Sequence, residues 1–327
     1  MAQYIIRRIL QFIPVFIGVT LLLFTLRAIV PGDPVRMIAG EKAIPEETYN
    51  QIVEAHHLNE PIYVQYGYYM GDLLQGNLGT SYQRGMQVTD IFLQKFPYTA
   101  QLALCAILIE VIIGIAVGII SAVKRYSWID VLVTLSTSIL VSLPVFWFGM
   151  MLQYLFGLIL KDLTGGAVFL PISGAPGPTN LLAPWMYYIL PAITLASVSL
   201  AYTARIMRSQ LLEVMNQDYI RTAFAKGLSK RAVIVKHALK NAMIPVITFI
   251  GIDFGVMMSG AILTETIFNW PGIGYEIYRA ILQRDWPIVM GGVILIVIVV
   301  MVINLLIDIS YALFDPRIRY GKQKGGD

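Results

Sequence analysis

Ionisable and amide side chains interrupt three long apolar runs of this sequence. Glu110 lies in one run, Asp253 in a second, and Asn304 with Asp308 in a third. A charged or strongly polar group at the centre of a bilayer is costly and usually faces a cavity or a partner. Asn304 and Asp308 are four residues apart and would share one helix face. Asp253, Asn304 and Asp308 are therefore candidates for the lining of a solute path. Polar contacts between helices remain the alternative, and for Glu110 both interpretations stay open.

No arrangement typical of catalysis or metal binding accompanies these residues. The sequence has no G-x-x-x-x-G-K-[ST] segment, so it lacks a P-loop of its own. His56 and His57 are adjacent and would point to different faces of a helix, and His237 has no Cys or carboxylate at ligand spacing. Cys105 is the single cysteine, which excludes an intrachain disulfide and a cysteine metal site. We expect no catalytic residue, no metal and no cofactor on this chain.

The composition indicates an all-α membrane protein that crosses the bilayer several times. Apolar residues make up 57% of the chain, against about 45–50% in soluble domains. Several runs reach the roughly 20 residues that a spanning helix needs. The N-terminal run is too long for a signal peptide. The net charge of +4 does not indicate nucleic-acid binding, because the basic residues do not cover a soluble surface. We predict six spans: Ile9–Val30, Pro97–Ala122, Ile129–Leu160, Trp185–Met207, Ile244–Phe268 and Ile288–Phe314.

The distribution of Lys and Arg predicts the orientation in the membrane. Basic residues concentrate before the first span, between the second and third, between the fourth and fifth, and after the sixth. Cytoplasmic segments carry such an excess, so we expect both termini in the cytoplasm. Segment 31–96 has eight acidic and four basic residues and is expected outside. Within it, "IPEETYNQIVEAHH" predicts a helix that begins near Pro45, and "GNLGTSY" predicts a turn-rich loop.

Small residues at intervals of four mark two candidate packing faces. Gly114 and Gly118 lie in the second predicted span, and Gly251, Gly255 and Ser259 lie in the fifth. Such spacing lets membrane helices approach closely.

The segment "RTAFAKGLSKRAVIVKHALKN" (221–241) concentrates charge in an otherwise apolar chain. One interpretation is a basic face on anionic lipid, worth about 1 kcal/mol per basic residue. The small residues Ala223, Ala225 and Gly227 indicate instead that another protein approaches closely, and Gly227 is expected to end a helix. Beyond it, an amphipathic helix is expected to run into the fifth span, with one side formed by Ala232, Val235, Leu239 and Ala242.

These residues resemble a known family. "DYIRTAFAKGL" and "HALKNAMIPV" are similar to the cytoplasmic motif of permease subunits in binding-protein-dependent ABC importers, in the branch for dipeptides, oligopeptides and nickel. Strings similar to those of that branch follow in order along the chain: "VPGDP", "LNEPIYVQY", "GNLGTSY", "ETIFNWPGIG", "RDWPIVMG" and "FDPRIR". In the general motif E-A-A-x-x-x-G, Gly227 and Ala223 match, whereas Arg221 and Thr222 replace Glu and Ala.

The resemblance implies a type I importer permease fold with six transmembrane helices. It implies a first helix at 1–30, an extracytoplasmic segment at 31–96, a permease core at 97–316 with a coupling helix at 218–230, and a cytoplasmic tail at 317–327. The coupling helix would insert into a cytoplasmic ATPase through Asp218, Tyr219, Arg221, Thr222, Ala223, Ala225, Lys226 and Gly227. An outer gate or docking loop would include Glu265, Trp270, Pro271, Gly272 and Gly274.

The implied partners are a second homologous permease, two ATPase subunits that bind ATP and Mg²⁺, an extracytoplasmic solute-binding protein, and membrane lipid. The expected location is a bacterial or archaeal cytoplasmic membrane. The cargo would be a dipeptide or oligopeptide, with nickel or another small solute as the alternative. An ion-coupled secondary transporter would show paired broken helices near the midplane, and the sequence shows only separate prolines. A membrane enzyme would need a convergent set of catalytic groups that the sequence lacks.

Overall fold

In the described part of the chain, six helices are long and apolar enough to cross a membrane. The computed structural model describes residues 2–30, 35–36, 45–55, 57–177, 182–258 and 262–314. The candidate spans are Ile6–Ile29, Val88–Val123, Val145–Leu163, Met186–Met215, Lys230–Met258 and Trp286–Ile307. The prediction of six membrane helices is confirmed.

Several spans consist of more than one helix. Within a span, the helices are joined by π-helical segments. In chain order the helices are α1 (Ala2–Ile29), α2 (Glu46–Ala55), α3 (Ile62–Leu74), α4 (Val88–Ile109), α5 (Ile115–Val123), α6 (Trp128–Ser142), α7 (Val145–Tyr154), α8 (Leu160–Leu163), α9 (Met186–Met215), α10 (Asp218–Ala225), α11 (Lys230–Ala232), α12 (Leu239–Met258), α13 (Ile262–Ile267), α14 (Ile273–Leu282) and α15 (Trp286–Phe314). Three π-helical segments continue helices without a break: Glu110–Gly114, Leu155–Ile159 and Val233–Ala238.

The third predicted span, Ile129–Leu160, is not one helix. Helix α6 ends at Ser142, Leu143 and Pro144 are extended, and α7 begins at Val145. Proline has no backbone N–H and disfavours a helical conformation in the residue before it. Pro144 therefore separates two helices within the predicted span. Pro191, in contrast, lies inside the unbroken helix α9.

The chain divides into two compact units, Met1–Thr99 with Pro271–Asp327, and Ala100–Trp270. In the first unit, Leu23 and Phe24 of α1 pack with Leu73 of α3 and with Met290 and Ile294 of α15. A second cluster joins the first turns of α4 to α14 and α15, through Val88, Ile91, Phe92, Ile273, Ile277, Ala280, Ile288 and Val289. Two secondary-structure predictions for segment 31–96 are confirmed: α2 covers Glu46–Ala55, and the loop at 76–82 turns at two glycines with positive φ, Gly76 and Gly79.

A buried carboxylate fixes this loop to the start of α15. Asp285 is fully buried and accepts hydrogen bonds from Ser81 Oγ at 2.5 Å, Tyr82 N at 3.1 Å and Gln83 N at 3.3 Å. Nearby, Arg84 forms an ion pair with Glu276 of α14. A buried charge is tolerated when it is hydrogen-bonded in this way. The strings "GNLGTSY" and "RDWPIVMG" therefore have a common structural role within this unit.

The second unit is organised around α9. Gly118 of α5 approaches α9 so closely that an added Cβ would lie 2.6 Å from Ala204 O and 2.7 Å from Met207 Cβ. At Gly114, an added Cβ would lie 3.0 Å from Thr203 Cγ2. The close approach predicted for these two glycines is confirmed. The corresponding prediction for the fifth span cannot be completed, because Ser259 lies outside the described residues.

We predict that Gly118→Ala destabilises the chain by about 1–3 kcal/mol, as overpacking does. Alanine favours a helix over glycine by about 1 kcal/mol, but the backbone oxygen of Ala204 cannot move aside like a flexible side chain. The measurement is the Tm of the purified full-length chain. Gly18→Ala is the matched control in α1, because nothing lies within 4 Å of the Cβ it would add. An equal or higher Tm for Gly118→Ala would contradict the close packing.

Candidate functional site

Helix α10 stands between the fourth and fifth spans and carries most of the predicted coupling residues. It follows Gln217, which is extended, and it ends with Lys226 as its C-cap. Gly227 has a φ of +80° and donates its N–H to Phe224 O at 2.9 Å. Glycine adopts this left-handed conformation without a steric penalty. The sequence-based expectation that a helix ends at Gly227 agrees with this geometry.

One side of α10 packs on its own chain. Ile220 and Ala223 are buried in a cluster with Met207 and Leu211 of α9 and with residues at the start of the fifth span: Val233, Ala238, Ala242 and Val246. The position of Ala223 differs from the expectation that it leaves room for a partner. Its side chain is only 6% exposed, so its small size serves packing within the chain.

The other side of α10 is exposed and holds the remaining predicted residues. These are Asp218, Tyr219, Arg221, Thr222, Ala225, Lys226 and Gly227. Phe224 is 41% exposed and Leu228 is 39% exposed on the same segment. The sequence analysis did not include Phe224 and Leu228 among the contact residues. Large apolar residues next to the polar side of a short helix could have indicated them. A surface of this kind fits contact with another protein.

Tyr219 connects α10 to the fifth span. Its hydroxyl accepts a hydrogen bond of 2.7 Å from Asn241 Nδ2. Together with the buried cluster, this contact links α10 directly to α12.

The amphipathic helix that follows α10 has a different register from the prediction. Val233, Ile234, Ala238 and Ala242 are buried, whereas Val235 is 57% exposed. The expectation that Ala232, Val235, Leu239 and Ala242 form the packed side was therefore wrong at Val235. Residues 233–238 are π-helical, and a π-helical turn holds more residues than an α-helical turn. This change of period turns Val235 away from the core.

An ion pair between the buried Asp130 and the part-buried Arg208 joins the start of α6 to the C-terminal half of α9. Arg208 binds Asp130 through two hydrogen bonds, Nε to Oδ1 at 2.7 Å and Nη2 to Oδ2 at 2.8 Å. Asp130 also accepts hydrogen bonds from Ser121 Oγ and from Tyr126 N. Bidentate Arg–carboxylate pairs are strong and geometrically specific. The pair thus ties the short basic loop after the second span to the helix that leads into α10.

Glu110 Oε2 and Asp253 Oδ2 are both buried and have no hydrogen-bond partner in the described part of the chain. Glu110 is fully buried, and Thr203 Oγ1 of α9 donates to Glu110 Oε1 at 2.5 Å. Asp253 of α12 is half-buried. Asn304 belongs to the other compact unit and is exposed. The side chain of Asp308 lies outside the described residues. In the described part of the chain, no group of three or more His, Cys, Asp or Glu could hold a metal.

The residues predicted for an outer gate or docking loop are mostly buried. Glu265 and Trp270 are fully buried, and Gly272 and Gly274 are buried as well. Trp270 packs edge-on against the ring of Tyr188, with centroids 4.8 Å apart. These residues act as packing elements within their units, so they present little surface for docking. The role of an outer gate stays a prediction.

The comparisons with known proteins agree with this architecture over nearly the full chain. The family described as "Binding-protein-dependent transport system inner membrane component" matches residues 114–320, and its N-terminal counterpart matches residues 1–103. The chain belongs to this family. It is therefore a multi-pass inner membrane component of a transport system and not an enzyme, as the sequence predicted.

Curated relatives cover almost all of the chain. The dipeptide transport system permease protein DppB of Escherichia coli (strain K12) is 41% identical, over 98% of this chain and 100% of its own length. The di/tripeptide transport system permease protein DppB of Pseudomonas aeruginosa (strain UCBPP-PA14) is 40% identical, over 98% and 99%. The oligopeptide transport system permease protein AppB of Bacillus subtilis (strain 168) is 39% identical, over 98% and 100%.

We predict that Asp130→Ala lowers the free energy of unfolding by about 2 kcal/mol, because it removes the charge-assisted hydrogen bonds of Asp130 while Arg208 remains 30% exposed to solvent. Urea or thermal unfolding of the purified chain measures this change. Asp218→Ala is the matched control, since Asp218 pairs with Arg221 at 3.5 Å and the two side chains are 97% and 75% exposed. Exposed pairs contribute little. Equal losses in both variants would refute the role assigned to the pair of Asp130 and Arg208.

Proposed function

We propose that this chain is a permease subunit of an ATP-driven importer for peptides. The observation that carries the proposal is the identity of about 40% over 98% of the chain to permease proteins named for dipeptide, di/tripeptide and oligopeptide transport. Nickel as the cargo is not favoured, because these relatives are named for peptides.

In this proposal the chain forms the solute path with a second, homologous permease. Two cytoplasmic ATPase subunits supply the energy, which fits a sequence without a P-loop. An extracytoplasmic solute-binding protein delivers the peptide. Both termini are cytoplasmic, an orientation supported by the four segments rich in Lys and Arg. ATP and Mg²⁺ belong to the partner subunits, and this chain binds no cofactor. The membrane is a bacterial or archaeal cytoplasmic membrane.

The proposed contact with the ATPase is the exposed side of α10. Tyr219, Phe224 and Leu228 offer apolar surface there, and Asp218, Arg221, Thr222 and Lys226 surround it with polar groups. Burial of aromatic anchors within a polar rim is typical of energetically important interface positions. The buried side of α10, with Ile220 and Ala223, would pass a displacement to α9 and to the start of the fifth span.

Peptide uptake tests the cargo. The chain is coexpressed with its partner permease, its ATPases and its binding protein in cells without other peptide importers. We expect ATP-dependent uptake of a labelled dipeptide that unlabelled peptides inhibit and free amino acids do not. Uptake of Ni²⁺ without uptake of any peptide would contradict the proposed cargo. Uptake driven by an ion gradient without ATPase subunits would contradict the importer class.

Truncation of Phe224 tests the coupling surface. We expect Phe224→Ala to reduce copurification of the ATPase about tenfold, which corresponds to about 1.4 kcal/mol, because it removes an exposed aromatic anchor. The Tm of the isolated chain should not change, since the side chain is 41% exposed. Val235→Ala is the control, because Val235 is an exposed apolar residue outside α10. Equal losses in both variants, or no loss in Phe224→Ala, would exclude α10 as the contact.

A further inference from the structure

Two cavities of the first compact unit share four of their lining residues. Each cavity has a volume of about 600 Å³, which is the size of a site for a small molecule. Both are lined by Arg27 of α1, Gln65 of α3, Tyr82 of the loop at 76–82, and Trp286 at the start of α15. All lining residues belong to this one unit. The two cavities therefore adjoin at these four side chains, and together they have room for a ligand.

The guanidinium group of Arg27 has no carboxylate partner among the described residues. Its Cζ lies 5.8 Å from the centroid of the Phe24 ring, and none of the ion pairs between described residues includes it. A guanidinium group carries N–H donors in a planar fork that matches the two oxygens of a carboxylate. The aromatic ring provides no acceptor oxygen for this fork. A carboxylate in the cavity would supply one.

Trp286 adds a second donor that has no partner. Its Nε1 is buried and donates to no acceptor in the described part of the chain. A buried indole N–H usually has a hydrogen-bond partner, and an exception calls for an explanation such as an unseen ligand. A small rotation of the indole ring would bring this N–H to the wall that Trp286 shares with Arg27. A ligand with two or more acceptor oxygens would then satisfy both residues.

The other polar groups of the walls are mostly amides and phenols. They include Tyr49, Asn50 and Asn59 in the first cavity, and Tyr68, Tyr69 and Asn77 in the second. Amide side chains both donate and accept hydrogen bonds, as does a phenol. They can therefore pair with the N–H and the C=O of a peptide bond.

The charges of the walls fit a zwitterion better than an anion. The first cavity contains one acidic residue, Glu60, beside Arg27, and the second contains one acidic residue, Asp72. Neither acid takes part in the ion pairs between described residues. A ligand with a carboxylate near Arg27 and an ammonium group near one of these acids would have both charges compensated. An anionic headgroup without an ammonium group would leave the acids unpaired.

We propose that Arg27 binds the C-terminal carboxylate of a peptide where the two cavities adjoin, with Trp286 as a second donor and the polar walls around the peptide bond. The inference rests on the peptide cargo proposed above and adds a residue of this chain that contacts the cargo. Because segment 31–96 is expected on the outer side of the membrane, the site receives the peptide before it crosses the bilayer.

Equilibrium dialysis of the purified full-length chain in phosphatidylcholine nanodiscs tests the site. The probe is radiolabelled Ala-Ala, used up to the millimolar concentrations that delivery by a binding protein makes relevant. We expect unlabelled Ala-Ala to displace the probe about tenfold more effectively than Ala-Ala amide, which lacks the carboxylate. Arg27→Gln should weaken binding about tenfold, because it removes the charged donors. Trp286→Phe keeps an aromatic ring without the N–H and should weaken binding about threefold.

Arg279→Gln is the matched control. Arg279 belongs to the same unit, and its Cζ lies 5.9 Å from the centroid of the Tyr275 ring, much as Arg27 lies over Phe24. Arg279 lines neither cavity, so this variant loses the same charge and the same kind of ring contact without a loss of binding. The Tm of each variant is measured alongside. If Arg27→Gln does not fold, Arg27→Lys keeps the charge without the fork and should also weaken binding.

Several results would overturn the proposal. They are no binding of Ala-Ala to the wild type, equal affinity in Arg27→Gln and Arg279→Gln, and equal displacement by Ala-Ala and its amide. Displacement of the probe when phosphatidylglycerol or phosphatidylethanolamine replaces phosphatidylcholine would identify a lipid headgroup site instead.

Failure of this site and failure of the proposed cargo give different results. Peptide uptake by the complete importer, with undiminished binding in Arg27→Gln, would contradict the site and leave the cargo in place. Peptide binding that depends on Arg27, without any peptide uptake, would contradict the cargo and leave the site in place.

Discussion

The second compact unit depends on how closely helix α9 is approached by its neighbours. Lipid tails are as apolar as leucine, so membrane helices associate through van der Waals contact and polar bonds rather than through the hydrophobic effect. Gly118 meets this requirement, because the backbone of α5 lies directly on Ala204 and Met207. A larger residue would separate the helices and with them the polar groups that α9 positions. Thr203 and Arg208 reach their carboxylate partners, Glu110 and Asp130, only at this helix spacing.

The same helix explains why α10 has two different sides. Ile220 and Ala223 pack against Met207 and Leu211, which lie near the C-terminal end of α9. This burial fixes the orientation of a helix of only eight residues, which would not be stable alone in water. The opposite side then presents Phe224 and its polar neighbours in a fixed arrangement. A rigid element with an exposed apolar residue loses little entropy when a partner binds.

Much of this architecture follows from local properties of the sequence. Long apolar runs predicted the six membrane helices, and the positive φ that suits glycine agrees with the end of α10 before Gly227. The small residues at 114 and 118 predicted close packing.

Other features could not be predicted, because they depend on the local helix type or on contacts between residues far apart in the sequence. The π-helical segment at 233–238 changes the period, so Val235 is exposed where α-helical spacing placed it in the packed side. Glu110 and Thr203 are 93 positions apart in the chain, and only the packing of the second and fourth spans brings them into hydrogen-bond contact. The location of Asp285 beneath the loop at 81–83 is likewise a long-range relation.

The length of α9 has a consequence for where its far end lies. At 1.5 Å per residue, its 30 residues span about 45 Å, whereas the hydrocarbon core of a bilayer is only about 30 Å thick. Trp185 and Tyr187, near its first end, are of the residue types that concentrate at the level of the lipid headgroups. The surplus of about 15 Å, or about three turns, therefore extends past the opposite headgroups. With its first end at the headgroups, α9 would carry α10 on that extension into the aqueous phase. A small tilt of α9 in the lipid would move its C-terminal end sideways by several ångströms. Because α10 follows this end directly, the tilt would displace α10 by a similar distance.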